Sequence, residues 1–463
     1  MQKIWNVIAN VCRIVLALTF IFSGFVKAVD PAGTAYKISD YLTAMGLDGI
    51  LPEAGAVAAS VLLSAVEFAC GIFLLFAIQR RLASRTCLAM MILMTPLTLW
   101  LAVANPVSDC GCFGDAVVLT NWQTFWKNVV LLAMAAVVAW KPKAMFRFVS
   151  ESNQWIVVNY TILFILAVAA YSLYYLPIFD FRPYHIGANI REGMEVPEGA
   201  EQPQFETTFI LEKNGQQREF TIDDYPDSTW TFIDSRTVQT SKGYVPPIHD
   251  FSLTLVAAGE DGEDGGDDIT DEVVNDTSYV FLLVSPHIEK ADDSRPDLIN
   301  ELYEYCQEQG YAFYGLTASN SQAIAKWRDM TGADYPFCSV DEITLKTIVR
   351  SNPGLVLLKN GTVVRKWSHN DLPHIEPALT SKPLEQLETG QMPHDAVAAK
   401  IARILLWFVL PLALLTIADR TWMWTKWLRR RNKKASATPS EPETDKPLQK
   451  EESSTTLNKQ QEL

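Results

Sequence analysis

Long apolar runs separated by short polar stretches fill the first 180 residues, and a different rhythm follows. A helix that crosses a bilayer needs about 17–25 predominantly apolar residues. Six stretches meet that need: residues 4–25, 56–78, 82–104, 123–140, 155–178 and 397–417. The fourth is the shortest and carries Lys127 and Asn128 near its start. The first has Arg13 inside the apolar stretch, a thin basic flank and no small-x-small cleavage site, so it reads as a retained signal anchor. Between residues 26 and 55, "VDPAGTAYKISDYLTAMG" places Asp30 as a cap and Pro31 at the first helical position. That predicts an amphipathic surface helix, either covering what lies beneath it or serving as a connector anchored by Tyr36 and Tyr41.

The basic residues orient these spans. Arg80, Arg81 and Arg85 lie between spans two and three, and Lys141, Lys143 and Arg147 between spans four and five. "RTWMWTKWLRRRNKK" follows span six. All three clusters fall on one side, which the positive-inside rule makes the cytoplasm. The reading is a multi-pass inner (cytoplasmic) membrane protein with both termini cytoplasmic. The opposite, periplasmic side then receives residues 26–55, the loop after span three, and residues 179–396.

That last region reads as α/β. "TTFILEKNGQQREFTI" predicts a hairpin turning at Asn214-Gly215. From Ser278 onward strands and amphipathic helices alternate: "YVFLLVS", "RPDLINELYEYCQEQG", "YAFYGLTAS", "NSQAIAKWRDMTG", "YPFCSVD", "EITLKTIVR" and a strand pair turning at Asn360-Gly361. Such alternation predicts a parallel or mixed sheet with helices on its faces. The division expected is a four-span unit (1–145), a fifth span (150–180), a β-rich extension (181–275), the α/β domain (276–395), a sixth span (396–420) and a basic, then disordered, cytoplasmic tail (421–463).

Composition agrees with two kinds of sequence joined together. The 463 residues are 49% apolar, yet the net charge is −14. That acidity argues against nucleic acid as a partner. "GEDGEDGGDDITDE" contributes much of it, but its spacing does not fit a calcium loop, so a solvated turn is expected.

The chemistry concentrates in one short loop. Five of seven cysteines lie in the first third, and Cys110 and Cys112 flank Gly111 in "DCGCFGD". A bridge between cysteines two apart is possible but strained, and strained disulfides are the labile, catalytic or regulatory ones. A redox pair is one reading and a purely structural loop another. A metal would need about four ligands. All six histidines lie at or after residue 185, so the membrane part offers none. Asp109 and Asp115 flank the pair and would raise its thiol pKa. Glu67 sits mid-span, where a carboxylate is costly and a functional candidate by default. It would carry a proton in a redox step, or else be a neutral acid bonded to Lys27 or Asn128. Cys70, three residues on, is either packing or an electron relay. Cys306 and Cys338 read as small buried hydrophobes.

"DCGCFGD" between the third and fourth spans resembles the MauE branch of the DoxX-like membrane proteins, which carry a Cys-x-Cys-Phe-Gly loop on the outer side of a four-helix unit. "FIFSGFVKAVDP" is similar to that family's SG-x-x-K-x-x-D-P segment, and "SAVEFACGIFLL" to its E-x-x-x-G segment, placing Glu67 and Gly71. The resemblance spans about residues 1–145. It implies thiol–disulfide chemistry in the cell envelope and carries Cys110, Cys112 and Glu67 over as catalytic residues. Asp109, Gly111, Phe113, Gly114, Asp115, Cys70 and Lys27 follow as supporting ones.

Residues 245–375 resemble the thioredoxin-like fold, with Pro353 of "SNPGLVLL" where that family keeps its cis-proline. Where its redox members carry Cys-x-x-Cys, this chain reads "VSPHIEKAD". The resemblance therefore implies a redox-dead module for binding. The expectation is a thiol–disulfide oxidoreductase acting on an exported or periplasmic protein, or on a thiol carrier, with no bound cofactor or metal evident. A quinone is a further electron partner between which and a thiol carrier the sequence does not choose. The rival is a non-catalytic membrane assembly protein whose thioredoxin-like domain docks a partner.

Overall fold

The structure, a computed structural model, describes residues 2–107, 109–201, 204–213, 216–221, 230–241, 243–256, 266–375, 381–393 and 397–435. The expected turn at Asn214-Gly215, most of the acidic stretch and the tail beyond residue 435 lie outside those residues.

Helices α1 (Gln2–Val29), α2 (Pro31–Ala44), α3 (Glu53–Phe76), α4 (Arg80–Ala104), α5 (Asn121–Trp140) and α6 (Gln154–Tyr174) come first. With the last helix, α12 (Val397–Ala435), they supply six helices among the described residues long and apolar enough to cross a membrane, α2 being the exception. Glycine sets the tightest packing. A Cβ on Gly24 would stand 2.4 Å from the Phe68 backbone nitrogen, and one on Gly71 would stand 2.7 Å from that of Ile21. Helices α1 and α3 therefore touch backbone to backbone. Asp30 caps α2, its side chain accepting from the Gly33 N–H at 2.9 Å.

At one end of the bundle the basic loops meet. Arg80 donates to the carbonyls of Lys143 and Met145, Arg13 to that of Phe146 at 2.7 Å, and Arg420 to that of Phe148 at 2.9 Å. Arg13 is thus tolerated in an apolar span because its guanidinium reaches a loop carbonyl. The 105–120 loop and the α/β region lie at the other end.

Beyond α7 (Ile190–Met194), β1 (Gln204–Lys213), β2 (Gln216–Thr221) and β3 (Thr231–Ser241) form an antiparallel sheet of order β2-β1-β3. Next come β4 (Thr254–Leu255), α8 (Thr270–Asn275), β5 (Tyr279–Ser285), α9 (Pro296–Gln309), β6 (Ala312–Thr317), α10 (Ser321–Thr331), β7 (Phe337–Ser339), α11 (Glu342–Ile348), β8 (Gly354–Lys359) and β9 (Thr362–Ser368). Their sheet has the order β4-β7-β6-β5-β8-β9. Strand β6 runs parallel to β5 and β7, while β8 runs antiparallel to β5 and β9. That mixed sheet is the arrangement the thioredoxin-like resemblance implied, and the Asn352–Pro353 peptide is cis.

Strand β5 is buried along its whole length because both faces are covered. Val280, Leu282 and Val284 enter one apolar cluster, and Tyr279, Phe281 and Leu283 the other. Cys338 and Cys306 fall one in each cluster, fully buried, and burial raises both thiols, Cys338 to about 12. They are separated by the sheet and do not form a pair.

The sheet is clamped to the bundle. Lys366 of β9 pairs with Asp180 at 2.8 Å, and Arg182 pairs with the same carboxylate at 2.7 Å. Burial alone would raise Asp180, but these two cations hold it well below the usual carboxylate range. The Tyr174 carbonyl that ends α6 accepts from Ser368 and Asn370. The last helix, α12 (Val397–Ala435), returns along the bundle. Phe408 packs on Phe164, and Asp419 accepts from the Ser150 N–H at 2.8 Å. This helix runs well past the 397–417 span, because its Trp-rich and Arg-rich stretch continues the helix.

Candidate functional site: a two-cysteine loop held by a buried ion pair

The loop stands where α1, α2, α3 and α5 converge. Gly111 and Gly114 take φ values of +61° and +52°, conformations that side chains resist. They let the chain double back, with the Gly114 N–H donating to the Gly111 carbonyl at 3.0 Å. Cys110 Sγ and Cys112 Sγ stand 2.8 Å apart as free thiols.

Beneath the loop lies a buried network. Lys27 Nζ meets Glu67 Oε2 at 2.8 Å, and both side chains are almost fully buried. Ser23, one turn before Lys27, donates to Glu67 at 2.8 Å and lies 2.7 Å from the Cys112 carbonyl, and Lys27 Nζ donates to that carbonyl at 2.9 Å. The serine and lysine of the SG-x-x-K segment and the glutamate of E-x-x-x-G are thus one unit, brought together by the close approach at Gly24 and Gly71. Asn128 belongs elsewhere and donates to Thr98 at 3.3 Å. Glu67 is therefore partnered by Lys27, not by Asn128.

Above the loop lies α2. Tyr41 donates to the Cys110 carbonyl, and Lys37 pairs with Asp109 at 3.0 Å. Asp109 Oδ1 accepts from the Gly111 N–H at 2.7 Å. Burial raises the Tyr41 phenol, which keeps it a donor. Helix α2 covers the loop, as one of its two sequence readings has it.

Asp109 and Asp115 do not act on the thiols as their place in the sequence suggests. Asp109 is neutralised by Lys37, and Asp115 lies 3.6 Å from Arg350, which arrives from the α/β region. The charges that reach Cys112 are those of Lys127 and Lys27, opposed by the smaller effect of Glu67. The Cys112 thiol is lowered to about 6, first by its hydrogen bond with Cys110 and then, against burial, by Lys127 and Lys27. Cys110 is raised, first by the same bond and next by burial. The arrangement gives one thiolate and one thiol side by side, the pairing disulfide exchange requires.

A pH dependence follows from the sign of that shift. A lowered pKa keeps the thiolate present until the pH falls through about 6. Alkylation of Cys112 in the reduced full-length protein should be on its plateau at pH 8 and half-maximal near pH 6, where an ordinary thiol is half-maximal at about 8.5. Lys127→Gln should move the midpoint upward, as read by mass spectrometry of the alkylated peptide.

Cys70 is not in this cluster. It lies deeper, in an apolar group with Cys87, its Sγ 3.6 Å from the Ala83 carbonyl. Among the described residues no group of three or more His, Cys, Asp or Glu side chains is placed to hold a metal.

Arg350 ties the two halves together across the loop. Its guanidinium pairs with Asp30 at 2.9 Å as well as with Asp115, and lies over the Tyr36 ring. Around it is a cavity of about 760 Å³, lined by Lys37, Gly111 and Asp115 from the bundle and by His185, His287 and Lys346 from the other side. A second cavity of about 250 Å³ lies on the membrane side of the loop and reaches both thiols. Gly111 and Lys37 line both cavities.

Among the described residues, six membrane-type helices joined to a mixed α/β sheet define a multi-pass membrane protein. Residues 5–141 match the family described as methylamine utilisation protein MauE. This supports the MauE part of the resemblance for that segment. Residues 205–242 match a second family, described only as a domain of unknown function. No curated protein matches the chain.

Among solved structures, a candidate protein disulfide isomerase from Bacteroides thetaiotaomicron is 15% identical, over 25% of this chain and 73% of its own, with a TM-score of 0.20. The bacterioferritin comigratory protein of Xanthomonas campestris is 14% identical, over 26% of this chain and 82% of its own, with a TM-score of 0.19.

Of the functional residues, sequence reasoning missed Ser23, Lys37, Tyr41, Lys127 and Arg350. Ser23 had a signal, since it lies four residues before Lys27 and so on the same helix face. Arg350 had none.

Proposed function

We propose that this protein is a thiol–disulfide oxidoreductase of the cell envelope that matures the disulfides of exported proteins through Cys110 and Cys112. The observation that carries the reading is the built cradle around the pair: a lowered thiol beside a raised one, held from below by Ser23, Lys27 and Glu67 and from above by Tyr41.

Oxidation of the dithiol joins Cys110 Sγ to Cys112 Sγ. A thiolate of the partner then attacks one sulfur, and its second thiol resolves the mixed disulfide. The partner leaves oxidised and the pair returns to two thiols. The larger cavity is the partner's route, because it opens onto Gly111 between the bundle and the α/β region. That region presents the partner and does no redox chemistry itself, since its own cysteines are buried on opposite faces of a sheet.

The gathering of three basic loops at the opposite end supports an inner-membrane orientation, with those loops cytoplasmic and the thiols periplasmic. Labelling of intact cells with a membrane-impermeant maleimide tests both points. Label is expected on Cys110 and Cys112 only after mild reduction. Equal label without reductant would leave a resting dithiol and remove the oxidase direction. No label in either state would remove the orientation.

A further inference from the structure

The smaller cavity has a composition that the exchange reaction alone does not explain. Phe20, Leu63, Met90, Met91, Met94 and Leu97 supply its apolar wall. Leu63, Met90, Met94 and Leu97 are half-buried, and their neighbours Leu62 and Leu93 are 66% and 71% exposed on the outside of the bundle. The wall therefore faces lipid. The opposite end of the same cavity holds Cys110, Cys112, Lys127, Asn128 and the paired Lys27 and Glu67. Lys127 lies over the Phe113 ring at 4.1 Å and is in no ion pair among the described residues.

Lys127 has no carboxylate partner of its own, and the cavity's one carboxylate, Glu67, is already paired with Lys27, so the polar end suits a ligand that gains negative charge when it reacts. A lipid chain offers nothing to the thiols or the lysine, and a water-soluble oxidant has no use for a methionine-rich wall open to lipid. We infer that this cavity is the site of a membrane-soluble quinone that reoxidises the Cys110–Cys112 dithiol, with Lys127 facing its oxygen. Sites for drug-sized ligands run from about 300 to 1,000 Å³. At about 250 Å³ this cavity takes one ring, with the isoprenoid chain passing out between α3 and α4.

The chemistry balances. Cys112 Sγ, as thiolate, adds to the quinone ring. Cys110 Sγ then attacks Cys112 Sγ, and the carbon–sulfur bond breaks with its electron pair left on the ring. The Cys110 proton and one proton from solvent convert the ring to hydroquinone, so two electrons leave the dithiol and a disulfide remains. The loop is the wall between the two cavities, so it stands between a partner on one side and the quinone on the other.

This inference rests on the thiol-exchange reading, and one experiment separates the two. Full-length protein in lipid nanodiscs is reduced, freed of reductant and mixed with a short-chain ubiquinone carrying a photoreactive azide. In the dark, one hydroquinone is expected per disulfide formed. On illumination, label is expected on Leu63 and on residues 90–97, and excess unlabelled quinone should displace it. The Cys110→Ser/Cys112→Ser double variant should keep the label and make no hydroquinone. Met94→Trp, which fills the cavity, should lower labelling about tenfold, while Met94→Leu keeps it. If Met94→Trp fails to fold, the wild-type label map still decides.

Label that competing quinone does not displace, from a protein that makes no hydroquinone yet still exchanges with oxidised glutathione, overturns the quinone site and leaves the exchange reading standing. Absence of exchange with glutathione as well overturns both.

Discussion

Serine in place of Cys112 is expected to bring disulfide exchange below about 1% of the wild-type rate, because the thiolate is the nucleophile. Serine in place of Cys110 should act differently. Cys112 keeps its sulfur and the Lys127 and Lys27 charges, while a serine hydroxyl replaces the neighbouring thiol whose hydrogen bond lowers it most. It should still attack a partner that already carries a disulfide, breaking that S–S bond and releasing one partner thiolate, but the pair has no second thiol to resolve the product, so a mixed disulfide with the partner accumulates. Non-reducing electrophoresis of membranes from the two variants reads this directly. Cys110→Ser should show a higher-mass adduct that reductant removes, and Cys112→Ser should show none. Equal adducts in both would mean that the thiols are not distinguished by their surroundings. Unchanged partner oxidation in both would reduce the loop to a structural element.

The second large effect concerns Lys27. Its ammonium is the only cation within ion-pair distance of Glu67 among the described residues, and both groups are nearly closed to solvent. Removing one partner of such a pair costs about 3–5 kcal/mol, because the other charge stays buried and unpaired. Lys27→Met should therefore lower the unfolding free energy by about that amount and also free the Cys112 carbonyl from one of its donors. Joining Lys27→Met with Glu67→Leu should recover much of the loss, since a buried pair replaced by apolar groups is often close to neutral. Thermal unfolding of the three variants in one detergent checks the stability. If the double variant is as stable as wild type but exchanges no thiols, the pair positions the loop. If the double variant loses as much stability as the single one, the pair is not the unit the geometry describes.

The membrane helices and the alternating strands could be read from the sequence, because hydropathy and periodicity are local properties. So could the start of α2, where Asp30 and Pro31 are a cap and a first-turn proline. Strand β5 showed itself as an unbroken apolar run, and it is covered on both faces. The site was only partly legible. Cys110, Cys112, Lys27 and Glu67 stood out because cysteines with a glycine between them, and charges in apolar spans, are expensive to place without use. The aspartates misled, because a neighbour in sequence does not reveal a partner in space: Lys37 and Arg350 neutralise them from other elements. Cys70 falls on the packing side of its two readings, buried beside Cys87 in an apolar cluster.

The reach of Arg350 has a consequence for how the molecule is made. Its guanidinium closes over the loop by pairing with Asp30, 320 residues earlier in the chain. Ribosomes add about 5–20 residues each second. The four helices that frame the loop are therefore complete roughly 10 to 40 s before the arginine that bridges them to the sheet. During that interval Asp30 and Asp115 have no cation from the distal half, and the thiol loop has only α2 above it. A chain truncated before residue 350 never gains that bridge, so synthesis of the α/β region is what ties the reactive loop to the distal half.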